Sequence, residues 1–441
     1  MPTRHITRHT IRQRLPLLAS LPLAMTLALA GTASAADDTS ANNSELESLK
    51  QRIALLETQQ KAATPATTPA ATPASSTRFT YKGYVKADAL FSKFSAGEVA
   101  ETSGLRDFYL PSAIPVGTLP SSTVFDAHAK QSRLIFGTET PANGKSVKTH
   151  IELDFMSAVD GNERVSNGYE PELRQAFVQY DRWLVGQAWS NFQDTAALPD
   201  SLDFIGPTEG TVFSRQTQLR YTAGGLSVSA ENAETAVTGF TGTCTTSPTN
   251  TCNFTSGDNR LPDITARYVW KGDFGHLSLG ALLRELATHD GTTGKKENES
   301  GVGVSFSGKI RLGEGNDVRF MATTGSGIGR YVGLNIVNDV VQDATGALEA
   351  IDLTAGFVAL HHQWSPRLRS MGSLSMFTAD NPVAKTGLTT TKSVESMMAN
   401  LIWTPLDRLD VGIELSHATR ETEDGKDGDM DRVQFSSKYS F

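Results

Sequence analysis

Residues 432–441 read RVQFSSKYSF and end the chain on an aromatic side chain. Side chains alternate between the two faces of a β-strand, so this stretch has one apolar and one polar face. The apolar phase is Val433, Phe435, Tyr439 and Phe441, and the polar phase is Gln434, Ser436 and Lys438. Two structures produce this alternation: the closing strand of a membrane β-barrel and the edge strand of a soluble sheet.

The opposite end of the chain indicates the compartment. Four arginines precede the apolar run LPLLASLPLAMTLALA, and the small-residue triplet Ala33-Ser34-Ala35 follows it. This layout predicts a secretory signal peptide, residues 1–35, cleaved before Ala36. The alternative, an N-terminal membrane anchor, needs a longer run of about 20 apolar residues. Export together with the C-terminal strand favours an all-β membrane protein in the outer membrane of a Gram-negative bacterium.

Composition excludes some classes without choosing a fold. The 441 residues are 39% hydrophobic and 20% charged, with a mean hydropathy of -0.26. These averages exclude a helical membrane protein, but a soluble protein and a β-barrel with alternating faces both have them. The net charge is -8, and it becomes -12 once the four signal-peptide arginines are removed. Nucleic-acid binding needs a basic surface, so no nucleic-acid partner is expected.

Period-2 alternation over residues 78–441 predicts a 16-stranded antiparallel transmembrane β-barrel. An even strand number closes such a barrel with both ends of the chain on one side. Connections after odd-numbered strands are mostly long and polar, whereas those after even-numbered strands are mostly tight turns such as 181–182, 223–224 and 365–366. Long outer loops and short periplasmic turns are typical of this class, and a miscount by one strand would scramble the pattern.

Two short segments separate the signal peptide from the barrel. Residues 36–60 place four apolar side chains at coiled-coil spacing: Leu46, Leu49, Ile53 and Leu56. This predicts a periplasmic coiled-coil helix, stable only if an oligomer brings its copies together. The alternative is a lone amphipathic helix lying on the barrel. Residues 61–77, rich in Ala, Thr and Pro, predict an extended linker.

The two cysteines of the chain, Cys244 and Cys252, lie in the turn-rich stretch 241–254. In an oxidising export compartment they predict a disulfide that closes one loop. A metal pair is the alternative, but histidine partners are missing nearby. No metal and no other cofactor is therefore expected.

Assigning the apolar phase of each strand to lipid leaves the other phase for the lumen. The inward basic residues are Lys82, Lys86, Arg133, Lys148, Arg220, Arg267, Arg284, Lys309, Arg319, Arg369 and Lys438, and the inward acids are Asp88, Glu152, Asp154, Asp410 and Glu414. A low-dielectric wall of one charge sign concentrates counter-ions, so the expected solutes are small anions. Each arginine taken alone could instead be a solvated wall residue paired with an acid. The side taken by Arg174 is ambiguous, because its strand is apolar in both phases.

The connection 189–213 differs from the other loops in its composition. Its aromatic and acidic residues are Trp189, Phe192, Phe204, Phe213, Asp194, Asp200, Asp203 and Glu209. An exposed loop does not need so many large apolar groups. We therefore expect it to fold into the barrel as a constriction, with its aromatics on the inner wall and its acids facing the basic ladder across a narrow opening. An ordinary surface loop is the alternative.

Several blocks of the sequence resemble one family. In chain order they include GYVKADALF, HAKQSRLIFGTETP, LVGQAWSNFQDTAALPDSLDFIGP, SRQTQLRYT, HQWSPRLRS and the final KYSF. Over nearly the whole mature chain they resemble the DcaP-like outer-membrane porins of Gram-negative bacteria. The resemblance implies a homotrimeric channel surrounded by outer-membrane lipids, with a periplasmic coiled coil and a preference for dicarboxylates and other small anions. It also implies pore-lining or constriction roles for Arg133, Arg174, Gln187, Asp194, Asp203, Arg215 and Arg220.

The outer loops depart from the family pattern, notably the cysteine loop and the 330–350 insert, and this leaves the substrate open. A phosphate- or pyrophosphate-selective porin and a general porin are alternatives within transport. From other classes, the alternatives are an outer-membrane enzyme and an adhesin. A hydrolase would need a recognisable nucleophile, and neither G-x-S-x-G nor H-E-x-x-H occurs in the sequence. A non-enzymatic channel is the expectation.

Overall fold

The computed structural model describes residues 50–52, 76–156, 168–239, 252–289 and 295–441. Residues 50–52 are helical and belong to a separate unit of the chain, Met1–Pro73. The signal peptide, the remainder of the predicted coiled coil and most of the linker lie outside the described residues, so these three assignments stay predictions. Within the described ranges, no helix is both long and apolar enough to cross a membrane.

The unit Ala74–Phe441 consists mainly of strands. In chain order they are β1 (Arg78–Phe94), β2 (Ser122–His128), β3 (Arg133–Ala142), β4 (Lys145–Asp154), β5 (Glu172–Tyr180), β6 (Trp183–Trp189), β7 (Arg215–Ala223), β8 (Leu226–Glu231), β9 (Thr235–Gly239), β10 (Cys252–Ser256), β11 (Asp263–Gly272), β12 (Gly275–His289), β13 (Lys296–Arg311), β14 (Asp317–Ser326), β15 (Val340–Gln342), β16 (Leu348–Ala350), β17 (Asp352–Ser365), β18 (Leu368–Asp380), β19 (Thr391–Leu406), β20 (Leu409–Thr422) and β21 (Asp427–Ser440). The short helical elements are Gly104–Arg106, Pro111–Ala113, Thr195–Ala197, Thr208–Gly210, Gly329–Tyr331 and Val383–Thr386.

Seventeen of these strands form one closed antiparallel sheet. The first half of β1 pairs with β3 and its second half with β2, so β2 and β3 share one position of the barrel, interrupted at 129–132. The other edge of β1 pairs with β21, from Tyr84↔Ser440 to Phe94↔Met430, and this pairing closes the ring. The barrel therefore has 16 strand positions, and the predicted 16-stranded antiparallel fold is confirmed.

Connections alternate in length around the ring. One end of the barrel, the turn end, carries the short connections 143–144, 181–182, 224–225, 273–274, 312–316, 366–367 and 407–408. The opposite end, the loop end, carries longer connections that include 95–121, 190–214, 232–262 and 327–351. At the first turn Asn143 and Gly144 have φ angles of 49° and 75°, the geometry for which an Asn-Gly hairpin is favoured.

The outer face of the barrel is apolar and exposed. Leu360, Leu374 and Leu401 are exposed on successive strands β17, β18 and β19, while their sequence neighbours of the other phase are buried. Trp364 and Trp403 are exposed close to the turn end of the same wall. Apolar outer positions bounded by aromatic residues are what a lipid-facing surface requires.

A second sheet, which the sequence did not predict, joins two long connections at the loop end. It contains β9 and β10 from connection 232–262 and β15 and β16 from connection 327–351, with β9 and β15 running parallel. Val237 and Val340 of this loop sheet pack on Leu286 of β12. Cys252 begins β10, whereas Cys244 lies outside the described residues, so the disulfide stays a prediction.

A buried arginine fastens these loops to the wall. The Arg284 guanidinium of β12 lies 3.1 Å from Asp263 and 2.8 Å from Asp339, and all three side chains are fully buried. It also lies 5.1 Å from the centre of the Tyr331 ring. Because Asp339 belongs to connection 327–351 and Asp263 to β11, the one cation joins a loop to two strands.

Replacing Arg284 by methionine should lower the free energy of unfolding. Removing one partner of a buried ion pair typically costs about 3–5 kcal/mol, because it leaves the other charge uncompensated. Urea titration of the purified barrel in lipid vesicles measures this loss. Arg260→Met is the matched control, since Arg260 is largely exposed, lies 2.9 Å from Glu285 and should contribute at most about 1 kcal/mol. Equal losses in the two variants would contradict the anchoring role of Arg284.

Candidate functional site

A bulge in β5 turns an arginine into the lumen. The register shifts between Glu152 and Leu153 of β4, which pair with Gln175 and Leu173. Arg174 is therefore the extra residue, and both Arg174 and Gln175 are buried whereas Leu173 is exposed on the outer face. Regular alternation did not assign Arg174 to the lipid or the lumen side. The bulge places it on the lumen side.

Arg174 and Arg133 share two carboxylates. The Arg174 guanidinium lies 2.8 Å from Glu152 and 2.7 Å from Asp154. Arg133, on the adjacent strand β3, lies 3.2 Å from Glu152 and 3.1 Å from Asp154. Two cations thus balance two anions, and the Arg133 guanidinium also lies 5.4 Å from the centre of the Tyr84 ring. We call these four charged residues the Arg133–Arg174 cluster.

Two further arginines continue this wall. Arg215 donates to Glu172 at 3.0 Å and lies 5.2 Å from the centre of the Trp189 ring. Arg220 donates to the Gln218 side chain at 2.8 Å and to the carbonyl of Trp189. Within the described part of the chain, no carboxylate lies within ion-pair distance of Arg220. Arg220 therefore forms no ion pair, although the charge of Glu231 on β8 acts on it.

The connection 190–214, here called the inner loop, follows the inside of the barrel rather than its rim. Near its start the backbone N–H of Asn191 donates to Glu231 of β8 at 2.8 Å. Asp194 then lies 2.8 Å from Nε2 of His276 on β12. These contacts already carry the chain from β6 past β8 and β11.

The middle of the inner loop reaches the strands near the C-terminus. Asp200 lies 2.6 Å from the Arg369 guanidinium of β18. Glu414 of β20 accepts hydrogen bonds from the Ser201 hydroxyl at 2.8 Å and from the backbone N–H groups of residues 202 and 203 at 2.9 and 3.0 Å. One buried carboxylate thus holds three donors of the loop.

The inner loop finally meets β1 and β21. The Leu202 carbonyl accepts from Nζ of Lys86 at 2.6 Å and from Nε2 of Gln434 at 2.9 Å. The loop is therefore bonded in turn to β8, β12, β18, β20, β21 and β1. In the described residues, no hydrogen bond ties it to β3, β4 or β5, the strands that hold the Arg133–Arg174 cluster.

Three of the four acids of the inner loop face the wall against which the loop lies. Asp194, Asp203 and Glu209 are only 4%, 6% and 0% exposed. Asp203 accepts from the backbone N–H of Tyr109 at 2.8 Å and of Ile205 at 3.0 Å. Desolvation raises the pKa of the Glu209 carboxyl, which disfavours its charged form.

The expected orientation of these acids across the opening is therefore wrong for three of them. A buried carboxylate needs hydrogen-bond donors, and the wall and the loop backbone supply those of Asp194 and Asp203. Asp200 differs, since its side chain is 31% exposed beside Arg369. The aromatic residues do pack inside: the rings of Trp189 and Phe213 are 4.7 Å apart.

The predicted basic ladder is mostly neutralised. Arg319 lies 2.6 Å from Asp317, and Arg267 lies 3.7 Å from Asp194. The excess of eleven basic over five acidic inward residues is too large, because alternation also turns four acids near strand ends inward: Glu172, Glu231, Asp263 and Asp317. Arg284 lines no part of the passage, since its guanidinium is enclosed between strand and loop.

The remaining predicted residues take different positions. Lys86 is buried under the inner loop, 2.9 Å from Asp88 and 2.8 Å from the Gln131 side chain. Lys148 is half-exposed near the turn end, 3.6 Å from Glu139.

Gln187 does not line the lumen. It shares the alternation phase of Trp183 and Val185, which are exposed on the outer face. Its side-chain amide donates to the carbonyls of Leu173 and Arg174 at 2.9 and 3.0 Å, next to the bulge. Gln187 therefore supports the backbone that places Arg174, and the pore-lining role implied for it is wrong.

A second loop folds into the barrel, and the sequence analysis did not predict it. Leu105, Tyr109 and Ile114 of connection 95–121 are fully buried against Phe94 and Met430. Tyr109 also bonds Asp203 through its backbone, so this connection supports the inner loop. The stretch DFYLPSAIP is as rich in large apolar residues as the connection 189–213. The same criterion would therefore have predicted that connection 95–121 folds into the barrel.

Metal binding finds no support in the geometry. Within the part of the chain that the structure describes, no group of three or more His, Cys, Asp or Glu side chains could hold a metal ion.

Comparisons with known proteins agree with this architecture. The DcaP outer membrane protein family matches residues 25–441. The outer membrane channel DcaP of Acinetobacter baumannii is 22% identical, with 84% of this chain and 99% of that chain covered and a TM-score of 0.67. OmpT of Vibrio cholerae is 10% identical, with 83% and 98% covered and a TM-score of 0.49. OmpF of Salmonella typhi is 11% identical, with 83% and 98% covered and a TM-score of 0.47. A search of curated proteins finds no match.

Glu414→Gln should loosen the inner loop. The amide presents an N–H₂ group where the carboxylate accepts several donors, and each buried donor left unpaired costs about 1–3 kcal/mol. We expect a larger single-channel conductance and more current noise in planar bilayers. Glu421→Gln on the same strand is the control, because Glu421 is partly exposed and pairs with Lys392. If both variants conduct like the unaltered protein, Glu414 does not hold the loop in place.

Proposed function

This chain belongs to the DcaP outer membrane protein family, and we propose that its barrel is a passive channel that prefers small organic anions such as dicarboxylates. The family and the closed barrel place the protein in the outer membrane of a Gram-negative bacterium. This family and this fold are typical of channel proteins. The finer assignment, the preference for anions, rests on the charges along the passage.

The observation that carries the proposal is the orientation of the inner-loop acids. We place the passage between the inner loop and the wall formed by β3 to β7, where the Phe204 ring of the loop lies 5.1 Å from the Arg174 guanidinium. Asp200 is the partly exposed acid of the inner loop. On the wall side Arg133, Arg215 and Arg220 are partly exposed, whereas Arg174 is only 2% exposed beneath Phe204. A passage with one nearly uncharged side and one arginine-bearing side favours anions.

Arginine suits the recognition of carboxylates in this passage. Its planar guanidinium presents several N–H donors and stays charged at every relevant pH. Arg220 is the strongest candidate contact, because Gln218 and the Trp189 carbonyl use only part of its donors and no described carboxylate lies within ion-pair distance. The paired arginines of the cluster favour weak, exchangeable binding, which passive diffusion requires. A phosphate-selective channel would need a denser group of unpaired cations at this point.

The assembly is part of the same proposal. We infer a homotrimer whose turn end faces the periplasm, the compartment that we also propose for the N-terminal helix, of which residues 50–52 are described. The short turns of the barrel support this orientation, since periplasmic connections are short in outer-membrane barrels. The leucine spacing of residues 46–56 supports contact between copies of the helix.

Bilayer recordings test the selectivity. In a salt gradient the purified protein should show an anion-selective reversal potential, and added succinate should block the current. Arg220→Gln should move the reversal potential towards zero and weaken the block about tenfold, the low end for one hydrogen bond to a charged group. Arg182→Gln is the control, because Arg182 lies in turn 181–182 and bonds Tyr221 on the barrel exterior. Cation selectivity, or anion selectivity without succinate block, would overturn the proposal.

A deletion tests the role of the helix. Removing residues 46–56 should leave conducting trimers, because barrel walls offer far more contact area than two heptads. Native gels and single-channel recordings measure the two properties together. Complete loss of trimers would show instead that the helix determines the oligomer.

A further inference from the structure

A second group of basic side chains lies on the turn-end side of the inner loop. It lines a cavity of about 480 Å³ between β11, β12 and β13, and residues 194–196 of the inner loop cover it. The basic residues of this cavity, here called the basic pocket, are Arg267, Lys271, His276, Lys309 and Arg311. None of them belongs to the Arg133–Arg174 cluster on the opposite side of the passage.

Strand register brings these side chains into one row. His276 pairs directly with Lys271 on one side and with Lys309 on the other. Lys309 pairs in turn with Arg319 of β14. Like charges directly opposite one another destabilise a sheet, so the Lys309–Arg319 pair is unfavourable unless anions lie against it.

The acids of the chain compensate only part of this charge. Asp194 lies 2.8 Å from His276 and 3.7 Å from Arg267. Asp317 lies 3.2 Å from Lys309 and also serves Arg319 at 2.6 Å.

Two cations of the basic pocket form no ion pair within the described residues, although Arg311 lies directly opposite Asp317 in the register of β13 and β14. Across the described ranges, no carboxylate lies within ion-pair distance of Lys271 or Arg311. A concave space walled by protein and carrying this excess of positive charge attracts small anions more strongly than a flat surface does.

We propose that the basic pocket is a second anion-binding site, which takes a small dianion with carboxylate or phosphate groups. Lys271 and Arg311 bind the dianion through charge-assisted hydrogen bonds, and Arg267 closes the inner end of the pocket. Because residues 194–196 of the inner loop form its cover, an anion that has crossed the passage meets this site before it leaves the barrel. The site extends the proposed function, but binding here does not require the channel to be anion-selective, so the two claims fail separately.

The double variant Lys271→Gln, Arg311→Gln tests the site in the full-length protein. Neither side chain bonds the inner loop in the described structure, so the fold and the loop should be retained. Titration calorimetry with succinate and, separately, with inorganic phosphate measures binding to the purified protein. We expect the affinity of the pocket to fall about a hundredfold, since two hydrogen bonds between charged groups are lost and each accounts for about tenfold.

A second double variant serves as the matched control. Lys145→Gln, Arg367→Gln also removes two cations from the turn end, but at exposed positions beside turns 143–144 and 366–367. It should bind both probes like the unaltered protein, and heat-modifiable gel mobility checks that both variants are folded.

Each outcome decides the proposal. Weaker binding of both probes supports a general dianion site, and weaker binding of one alone supports a site for that chemical group. Unchanged binding of both probes in the pocket variant, or an equal loss in the control, overturns it. Cation-selective currents together with intact pocket binding would reject the proposed function and leave the pocket standing.

Discussion

The rest of the structure depends on one constraint: no backbone N–H or C=O group can remain unpaired in the hydrocarbon layer. β1 meets it by pairing along one edge with β3 and β2 and along the other with β21. Once the ring is closed, every strand has one face towards lipid and one towards the lumen. Closure therefore decides which charges of the chain lie inside.

Inside an enclosed lumen, charged groups must find partners, and most of them do. Glu414 collects donors from the inner loop, Arg284 joins two acids, and Glu152 with Asp154 balances two arginines. These residues determine where the loops lie. Arg220 on the passage wall and Lys271 and Arg311 of the basic pocket have no carboxylate at ion-pair distance among the described residues. We propose that these cations meet solutes, because their donors are only partly used within the fold.

The sequence predicts the features that depend on a repeated pattern, such as the number of strands. It does not predict local features such as the bulge and the loop sheet. Period-2 alternation and loop length yield the number of strands, and the aromatic residues of 189–213 reveal that this loop packs inside. The bulge at Arg174 shifts the phase of β5 by one residue, a change that no pattern of apolar residues predicts. The loop sheet depends on a parallel pairing of β9 and β15 about 100 residues apart in the chain, and strands of three to five residues carry too little periodicity to show it.

The number of charged residues is a poor guide to ion selectivity, because most charges in the lumen are paired with a charge of opposite sign. An arginine with a carboxylate at hydrogen-bond distance contributes little field beyond a Debye length, about 8 Å at physiological ionic strength. The total of basic residues in the lumen therefore says less about selectivity than the few without partners. The net charge of -8 says less still, because acids in outer turns such as Asp424 lie outside the passage. The acidic composition of the chain is therefore compatible with the proposed preference for anions.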